Sequence, residues 1–197
     1  MEKLIEAFFE QAPEESGPIY NERSLQLELA YWFRRMSARV EFERPCRVTG
    51  LSGSTCPPKT NLDLLVRDDR LTTAFELKVP LNGRHPETLY DFCNDISFIE
   101  GILRGRLADK GYCLLVTNDH NFWRDTGQGS TIHNLFRCKG SKLNGLVEKP
   151  TGKNKTMVSI SGSYSPADNW RDVRDQRLMA NAKYLLLEIP QIGSPLE

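Results

Sequence analysis

Several features that mark common protein classes are missing from this chain of 197 residues. It has no net charge at pH 7, because 26 Lys and Arg balance 26 Asp and Glu, so composition alone gives no sign of a nucleic-acid-binding domain. No stretch approaches the roughly 18 consecutive apolar residues of a membrane span. Residues 1–15 lack the basic start and cleavage site of a signal peptide. The five cysteines contain no CxxC pair, which argues against disulfides or zinc and predicts a cytoplasmic protein.

The remaining composition is that of a globular protein, with 39% hydrophobic and 26% charged residues, and it excludes a disordered chain. We predict a single mixed α/β domain over 1–197, with no repeat or linker. Apolar spacing predicts helices at 2–11, 20–38, 87–108 and 170–182, strands at 39–48, 61–67, 72–80, 111–117, 136–147, 157–160 and 184–190, and loops at 50–60 and 118–135.

Two carboxylates and a lysine fall on the strands at 61–67 and 72–80, which read as a hairpin. Glu76 and Lys78 lie two residues apart and therefore project to the same side, away from the apolar Phe75 and Leu77. If the hairpin pairs as drawn, Asp63 lies beside Glu76. Carboxylate oxygens are ligands for Mg²⁺, and a nearby lysine can stabilise charge on a phosphate. A surface ion pair would give the same pattern.

Acidic residues on neighbouring helices are further candidates for this site. Glu22 shares a helix stripe with Gln26, whereas Glu28 lies about 240° further round the helix, so the two acids cannot both face one metal ion. Asp91 and Asp95 lie one turn apart on the polar side of the helix at 87–108. Each of these acids could equally be a capping, ion-pairing or solvated residue.

Basic residues concentrate in two stretches despite the zero net charge. The stretch 34–47 contains five arginines, and 137–155 contains six basic residues with several glycines, as expected for a basic loop or hairpin. Such segments can follow a phosphate backbone, although a solvated loop looks the same. The candidate nucleic-acid contacts are Arg34, Arg35, Lys139, Lys142, Lys153 and Lys155. Arg171, Arg174 and Arg177 would form one stripe on a helix at 170–182.

The order of a helix acid, an Asp, a Glu-x-Lys on a hairpin, a helix and a buried strand resembles the PD-(D/E)xK nuclease superfamily. Four segments resemble an uncharacterised bacterial group within it: Asn21–Gln26, Phe75–Lys78, Tyr90–Ile96 and Gly111–Asp119. The resemblance implies a restriction-endonuclease-like α/β fold, with a mixed sheet of about four strands in αβββαβ order flanked by helices.

The resemblance also implies roles for individual residues. Glu22, Asp63 and Glu76 would bind Mg²⁺ or Mn²⁺, Lys78 would be the catalytic lysine, and Gln26 would lie beside them. Glu28 is the alternative helix ligand. We therefore expect a metal-dependent endonuclease of restriction or defence type that acts on DNA, as a homodimer if both strands are cut. The alternative is a catalytically silent module of the same fold that binds nucleic acid or protein.

Overall fold

A computed structural model describes residues 1–48, 53–56, 59–80, 83–127, 131–152 and 155–191. Its helices and strands are α1 Glu2–Glu10, α2 Glu22–Arg35, β1 Arg39–Pro45, β2 Asn61–Arg67, β3 Thr72–Lys78, α3 His85–Arg104, β4 Lys110–Thr117, α4 Thr131–Arg137, β5 Leu143–Glu148, β6 Met157–Tyr164, β7 Trp170–Asp172 and β8 Lys183–Ile189. The predicted mixed α/β class is confirmed.

Six of the strands form one mixed sheet in the order β1-β2-β3-β4-β8-β7, larger than the expected sheet of about four strands. Only β3 and β4 pair in parallel among the pairs described, and α3 connects them; the other neighbours are antiparallel. A parallel pair requires such a crossover connection, whereas the short turn between β2 and β3 suits an antiparallel hairpin. β5 and β6 form a separate two-stranded sheet.

Both faces of the large sheet are covered. The helices α1 and α2 pack on one face, where Phe75, Leu77 and Tyr112 lie in a buried cluster with Phe8 and Phe33. The helix α3 and the β5–β6 hairpin cover the other face. The sequence analysis placed the core on the Phe75 side, but Glu76 on the opposite side is fully buried as well, because α3 lies over it.

Local sequence explains where α2 begins. The Asn21 side chain accepts a hydrogen bond from the backbone N–H of Ser24 at 2.8 Å, and the Ser24 hydroxyl accepts one from the Asn21 N–H at 3.0 Å. This reciprocal capping satisfies N–H groups that have no partner within the helix. It fixes the first turn of α2, which carries Glu22.

The β5–β6 hairpin is attached to α3 through a buried carboxylate. Glu100 accepts hydrogen bonds from the backbone N–H groups of Ser161 at 2.8 Å and Gly162 at 2.7 Å, and from the Tyr164 hydroxyl at 2.8 Å. A buried carboxylate is stable only when its oxygens are paired in this way. The predicted strand at 136–147 is partly wrong, because Phe136 belongs to α4, where its ring packs against Phe92.

Two other secondary-structure predictions are also wrong. The predicted loop at 118–135 contains a short 3-10 turn at His120–Phe122 and the start of α4. The predicted helix at 170–182 is the short strand β7 followed by turns. Its backbone bonds go to distant residues, since Arg174 and Asp175 both donate to the carbonyl oxygen of Phe9. Tertiary contacts thus override the local helical pattern.

The basic stripe predicted on that helix does not form either. Arg171 contacts Glu2 and Glu6, Arg174 lies 3.3 Å from Glu10, and Arg177 pairs with Asp175 at 2.6 Å. Arg171 and Arg174, which were candidates for a binding surface, therefore hold α1 against the rest of the chain, and Arg177 forms an ion pair within its own segment. In the residues that the structure describes, no helix is both long enough and apolar enough to cross a membrane.

Candidate active site

The carboxylates and lysine predicted from the hairpin lie at one edge of the large sheet. β3 and β4 run in parallel, so their carboxyl ends, at Lys78 and Thr117, point to the same edge. The first turn of α2 approaches this edge with Glu22, and α3 approaches it with Asp95. The edge thus brings together side chains from β2, β3, α2 and α3.

Asp63 lies where β2 and β3 separate. Their last paired residues are Leu64 and Phe75, and one step further Oδ2 of Asp63 accepts a hydrogen bond from the backbone N–H of Leu77 at 2.7 Å. The amide of Gln26 donates to the carbonyl oxygen of Asp63, also at 2.7 Å. Asp63 is therefore held from both sides, and Gln26 acts on its backbone rather than on a ligand.

Glu76 has a partner that the sequence analysis did not consider. Its carboxylate contacts the ammonium group of Lys59, and that ammonium also lies 2.7 Å from Oδ1 of Asp95. Glu76 and Asp95 are almost completely buried, and the Lys59 side chain is 25% exposed. Lys59 thus reaches inward from the loop before β2 and lies between two buried carboxylates.

Lys78 makes a second bridge at the same place. Its ammonium lies 3.4 Å from Oε2 of Glu22 and 3.4 Å from Oδ2 of Asp95. Asp95 therefore faces both lysines, one through each oxygen. Its place on α3 was noted in the sequence, but periodicity gave no reason to prefer it over Asp91, which has no ion pair within the described part of the chain.

Burial is the main cause of the raised pKa values of the two strand carboxyl groups, Asp63 and Glu76. Burial raises the pKa of Asp63 to about 6, and Asp95 and Glu22 add to the rise while Lys59 and the Leu77 amide oppose it. Burial, together with Asp95 and Asp63, raises the pKa of Glu76 well above its ordinary value. Two carboxyl groups are thus difficult to ionise here, despite the lysines.

The two lysines respond in the opposite sense. Burial alone disfavours the ammonium of Lys59, but Asp95, Glu76 and Asp63 outweigh it and raise its pKa. The pKa of Lys78 is likewise raised, because Asp95 and Glu22 outweigh burial. Both ammonium groups are therefore charged, and each is held by more than one carboxylate.

An excess of negative charge remains when every group is ionised. Four carboxylates, those of Glu22, Asp63, Glu76 and Asp95, face the ammonium groups of Lys59 and Lys78. Oε1 of Glu76 is buried and accepts no hydrogen bond, and Oδ2 of Asp95 accepts none either but lies 3.4 Å from the Lys78 ammonium. A buried oxygen atom without a donor is costly, so this cluster has the charge, and Glu76 has the free oxygen, to accept a divalent cation.

No protein-family model matches the chain, and no curated protein or solved structure matches it at a significant level. The resemblance of its motifs to a nuclease superfamily therefore stays a prediction. Across the described ranges, no three His, Cys, Asp or Glu side chains form a ready metal-binding group. In this arrangement the Lys59 ammonium occupies the position between Glu76 and Asp95.

The two candidate helix acids are separated by the structure. Glu22 belongs to the site through its contact with Lys78. Glu28 does not, because its carboxylate lies near Gly17, where an added Cβ would be 3.3 Å from Oε1. Glu22 and Glu28 therefore face different parts of the structure, as their angular separation on α2 predicts.

The predicted nucleic-acid contacts are scattered. Arg34 and Arg35 end α2, about 20 Å from Glu22 at 1.5 Å per residue, and Arg35 pairs with Glu15 at 3.4 Å. Lys139 is exposed, Lys142 donates to the Ser165 hydroxyl at 2.7 Å, and Lys155 lies 3.4 Å from Glu148. Lys153 lies outside the described residues. None of the five described residues of this set has an ion pair with the carboxylate cluster in the part of the chain that the structure describes.

A different basic residue of the hairpin approaches the site. The charge of Lys149 acts on Glu87 and Asp91, and Glu87 hydrogen-bonds to the side chain of Thr151. Asp91 in turn is influenced by Lys78. The β5–β6 hairpin therefore meets the first turns of α3 close to the active-site edge, although the sequence showed only that the segment was basic.

Proposed function

We propose that this protein is a metal-dependent phosphodiesterase that cleaves nucleic acid, with DNA as the substrate, on a restriction-endonuclease-like fold. The observation that carries the proposal is the cluster of four carboxylates, three of them buried, that faces two lysines and has an oxygen of Glu76 without a donor. Buried acids with raised pKa values are typical of catalytic sites. The choice of DNA comes from the resemblance of the motifs.

The order of elements supports the same proposal. From α2 to β4 the chain runs helix, three strands, helix, strand, which is the order implied by the resemblance. Asp63, Glu76 and Lys78 lie on the two antiparallel central strands of this unit, and the helix acid Glu22 lies in its first helix. Fold alone does not define activity, so the argument depends on the site.

The residues present fit Mg²⁺ or Mn²⁺. Asp63, Glu76 and Asp95 supply carboxylate oxygens, the donors that these ions prefer, and Glu22 borders them. When bound, the ion would supply a water of lowered pKa and polarise a phosphate oxygen. Lys59 contacts Glu76 and Asp95, so we expect the metal and the Lys59 ammonium to compete for them.

The chain itself would contribute positioning and charge stabilisation. Lys78, held by Glu22 and Asp95, would orient the attacking water and stabilise negative charge on the phosphate in the transition state. Gln26 keeps the backbone of Asp63 in place through its hydrogen bond. The burial of Glu76 and Asp95 excludes bulk water, which strengthens each of these electrostatic interactions.

A plasmid-nicking assay with Mg²⁺ or Mn²⁺ tests the function. We expect the wild type to nick supercoiled DNA, and Glu76→Gln and Lys78→Gln each to reduce the rate at least about 100-fold, the loss typical of removing one catalytic group. Glu28→Gln is the matched control, since it removes an acid of the same helix as Glu22 that lies away from the site. Cleavage that survives both site variants would contradict the assignment.

A catalytically silent binding module is the second candidate. The contact of Lys59 with Glu76 and Asp95 favours it, because a permanent ammonium there would replace the metal. This candidate predicts that wild-type protein binds DNA in EDTA and cleaves no nucleic acid with either metal. It also predicts that Lys59→Gln does not create cleavage. The nuclease proposal predicts the opposite, that the metal supports cleavage more effectively in Lys59→Gln, because the competing ammonium is removed.

A further inference from the structure

A cavity lined by arginines lies on the α3 side of the sheet, between β1, β2 and the C-terminal end of α3. Its volume is about 370 Å³, within the range of small-molecule sites. Leu62, Leu65 and Ile102 form an apolar wall, contributed by β2 and α3. Four arginines line the cavity: Arg44, Arg47, Arg67 and Arg106.

The charges of this arginine cavity are largely uncompensated. Glu41 contacts Arg44 and lies 2.7 Å from Arg67, so one carboxylate serves two guanidinium groups. Arg47 and Arg106 have no ion pair within the residues that the structure describes. Guanidinium groups with free donors are suited to binding phosphate, which they can contact through two hydrogen bonds.

Arg106 occupies a position that would suit glycine better. It follows the C-terminal end of α3 with φ of +55°, a left-handed conformation in which a side chain is strained. Its N–H bonds to the carbonyl oxygen of Leu103, and the Leu107 N–H to that of Ile102, a helix ending in which glycine is usual. Strain of this kind is concentrated at functional sites.

The arginine cavity extends along the sheet from the candidate active site, since Arg67 lies four residues after Asp63 on β2, about 13 Å at 3.3 Å per residue, and Arg106 lies eleven residues after Asp95, about 16 Å at 1.5 Å per residue. Leu62 lines it, and the next residue along β2 is Asp63. Cys46 also lines it, and its thiol is close enough to Arg44 and Glu76 to be influenced by both charges. A chain of phosphates that passes the carboxylate cluster could therefore reach the arginines.

We propose that the arginine cavity binds a phosphate group of the nucleic-acid backbone, further along the substrate from the bond that the carboxylate cluster would cleave. The link to cleavage rests on the proposed function, but binding itself needs no metal and no catalysis. A free nucleotide carries the same phosphate chemistry and is the other source of such a ligand. The apolar wall and the four arginines of the cavity would also accommodate a nucleotide, so the experiment tests both DNA and a free nucleotide.

The test measures binding of a fluorescent 20-base-pair DNA by anisotropy in EDTA, at several salt concentrations. The double variant Arg47→Gln/Arg106→Gln is compared with Arg70→Gln/Arg124→Gln, which removes the same charge from exposed arginines outside the cavity. We expect the cavity variant to bind DNA about 10-fold more weakly than wild type. We also expect the slope of log K against log salt to fall in magnitude by about 1 to 2, because each lost phosphate contact lowers that slope by about 0.9.

Arg106→Gly separates loss of binding from loss of folding. Glycine relieves the backbone strain, so we expect this variant to melt at a higher temperature than wild type while it binds DNA more weakly. Weaker binding with an unchanged salt slope, or an equal effect of the control variant, would overturn the proposal. Binding of 5′-AMP is measured by calorimetry. If the cavity variant abolishes 5′-AMP binding but leaves DNA binding unchanged, the proposal is also overturned. If the cavity variant lowers the salt slope but the wild type does not nick DNA, the result would support the phosphate-binding cavity and contradict only the proposed nuclease activity.

Discussion

Lys59 and Glu76 form an ion pair between a loop and the middle of the central sheet, and the carboxylate of this pair is fully buried. The same ammonium lies 2.7 Å from Asp95 on α3. One loop residue thus neutralises acids from a strand and from the helix that covers it. The stability of the site depends on this contact, and binding of the proposed metal ion to the same carboxylates would depend on it too.

Loss of Lys59 should destabilise the protein strongly. Lys59→Gln leaves Glu76 buried without its ammonium and leaves Asp95 with Lys78 alone, and breaking such a buried pair costs about 3–5 kcal/mol. The free energy of unfolding from urea denaturation measures this cost. The double variant Lys59→Gln/Glu76→Gln should recover part of it, because the uncompensated charge is gone. A loss of about 1 kcal/mol or less, as at an exposed ion pair, would contradict the buried contact.

Asp63 should make stability fall as pH rises. Burial raises its pKa to about 6, whereas the unfolded chain ionises it near 3.9. Between these two pKa values the folded state holds a proton that the unfolded state has released. The free energy of unfolding therefore decreases by about 3 kcal/mol from about pH 4 to about pH 6, and it stays at the lower value above about pH 6. Saturating Mg²⁺ should oppose this decrease, because it favours the ionised carboxylate.

Asp63→Asn is the matched variant for this measurement. The asparagine oxygen can still accept the hydrogen bond from the Leu77 N–H, while the titrating group is removed. We expect the stability of Asp63→Asn relative to wild type to increase as the pH rises from about 4 to about 6, because only the wild type loses stability there. Parallel curves for the two proteins would show that Asp63 has an ordinary pKa.

The close approach of α3 to β4 should make Gly111 intolerant of a side chain. A Cβ at Gly111 would lie 2.2 Å from Cγ2 of the buried Ile99, so Gly111→Ala should cost about 1–3 kcal/mol in thermal or urea unfolding. At Gly105, φ is −74° and the nearest atom would be 3.3 Å away, so Gly105→Ala should cost much less. Equal effects of the two substitutions would mean that α3 does not rest on β4 as described.

The sequence was sufficient for the elements whose apolar pattern reflects their burial. β2 and β4 lie on or within one residue of their predicted bounds, and the adjacent placement of Asp63 and Glu76 followed from the hairpin. It failed where distant contacts decide the conformation. The segment after β7 reads as a helix, but the N–H groups of Arg174 and Asp175 bond to the carbonyl oxygen of Phe9 in α1.

The site was predicted only in part for the same reason. Glu76 and Lys78 are recognisable because alternation along a strand puts them on one side. Lys59 has no such signal, since it lies in a Gly-, Ser- and Pro-containing loop whose path depends on the fold. Asp95 was visible on the polar side of its helix, yet its choice over Asp91 depends on how α3 lies on the sheet.

Direct measurement of Mn²⁺ binding tests the central claim, that the carboxylate cluster holds a divalent cation. Calorimetry and electron paramagnetic resonance in the absence of substrate should show one site in the wild type, lost in Glu76→Gln and retained in the control Glu28→Gln. Lys59→Gln, if folded under the conditions used, should bind Mn²⁺ more tightly because the competing ammonium is removed. Absence of Mn²⁺ binding at millimolar concentration in both the wild type and Lys59→Gln, or binding that Glu76→Gln leaves unchanged, would contradict the account.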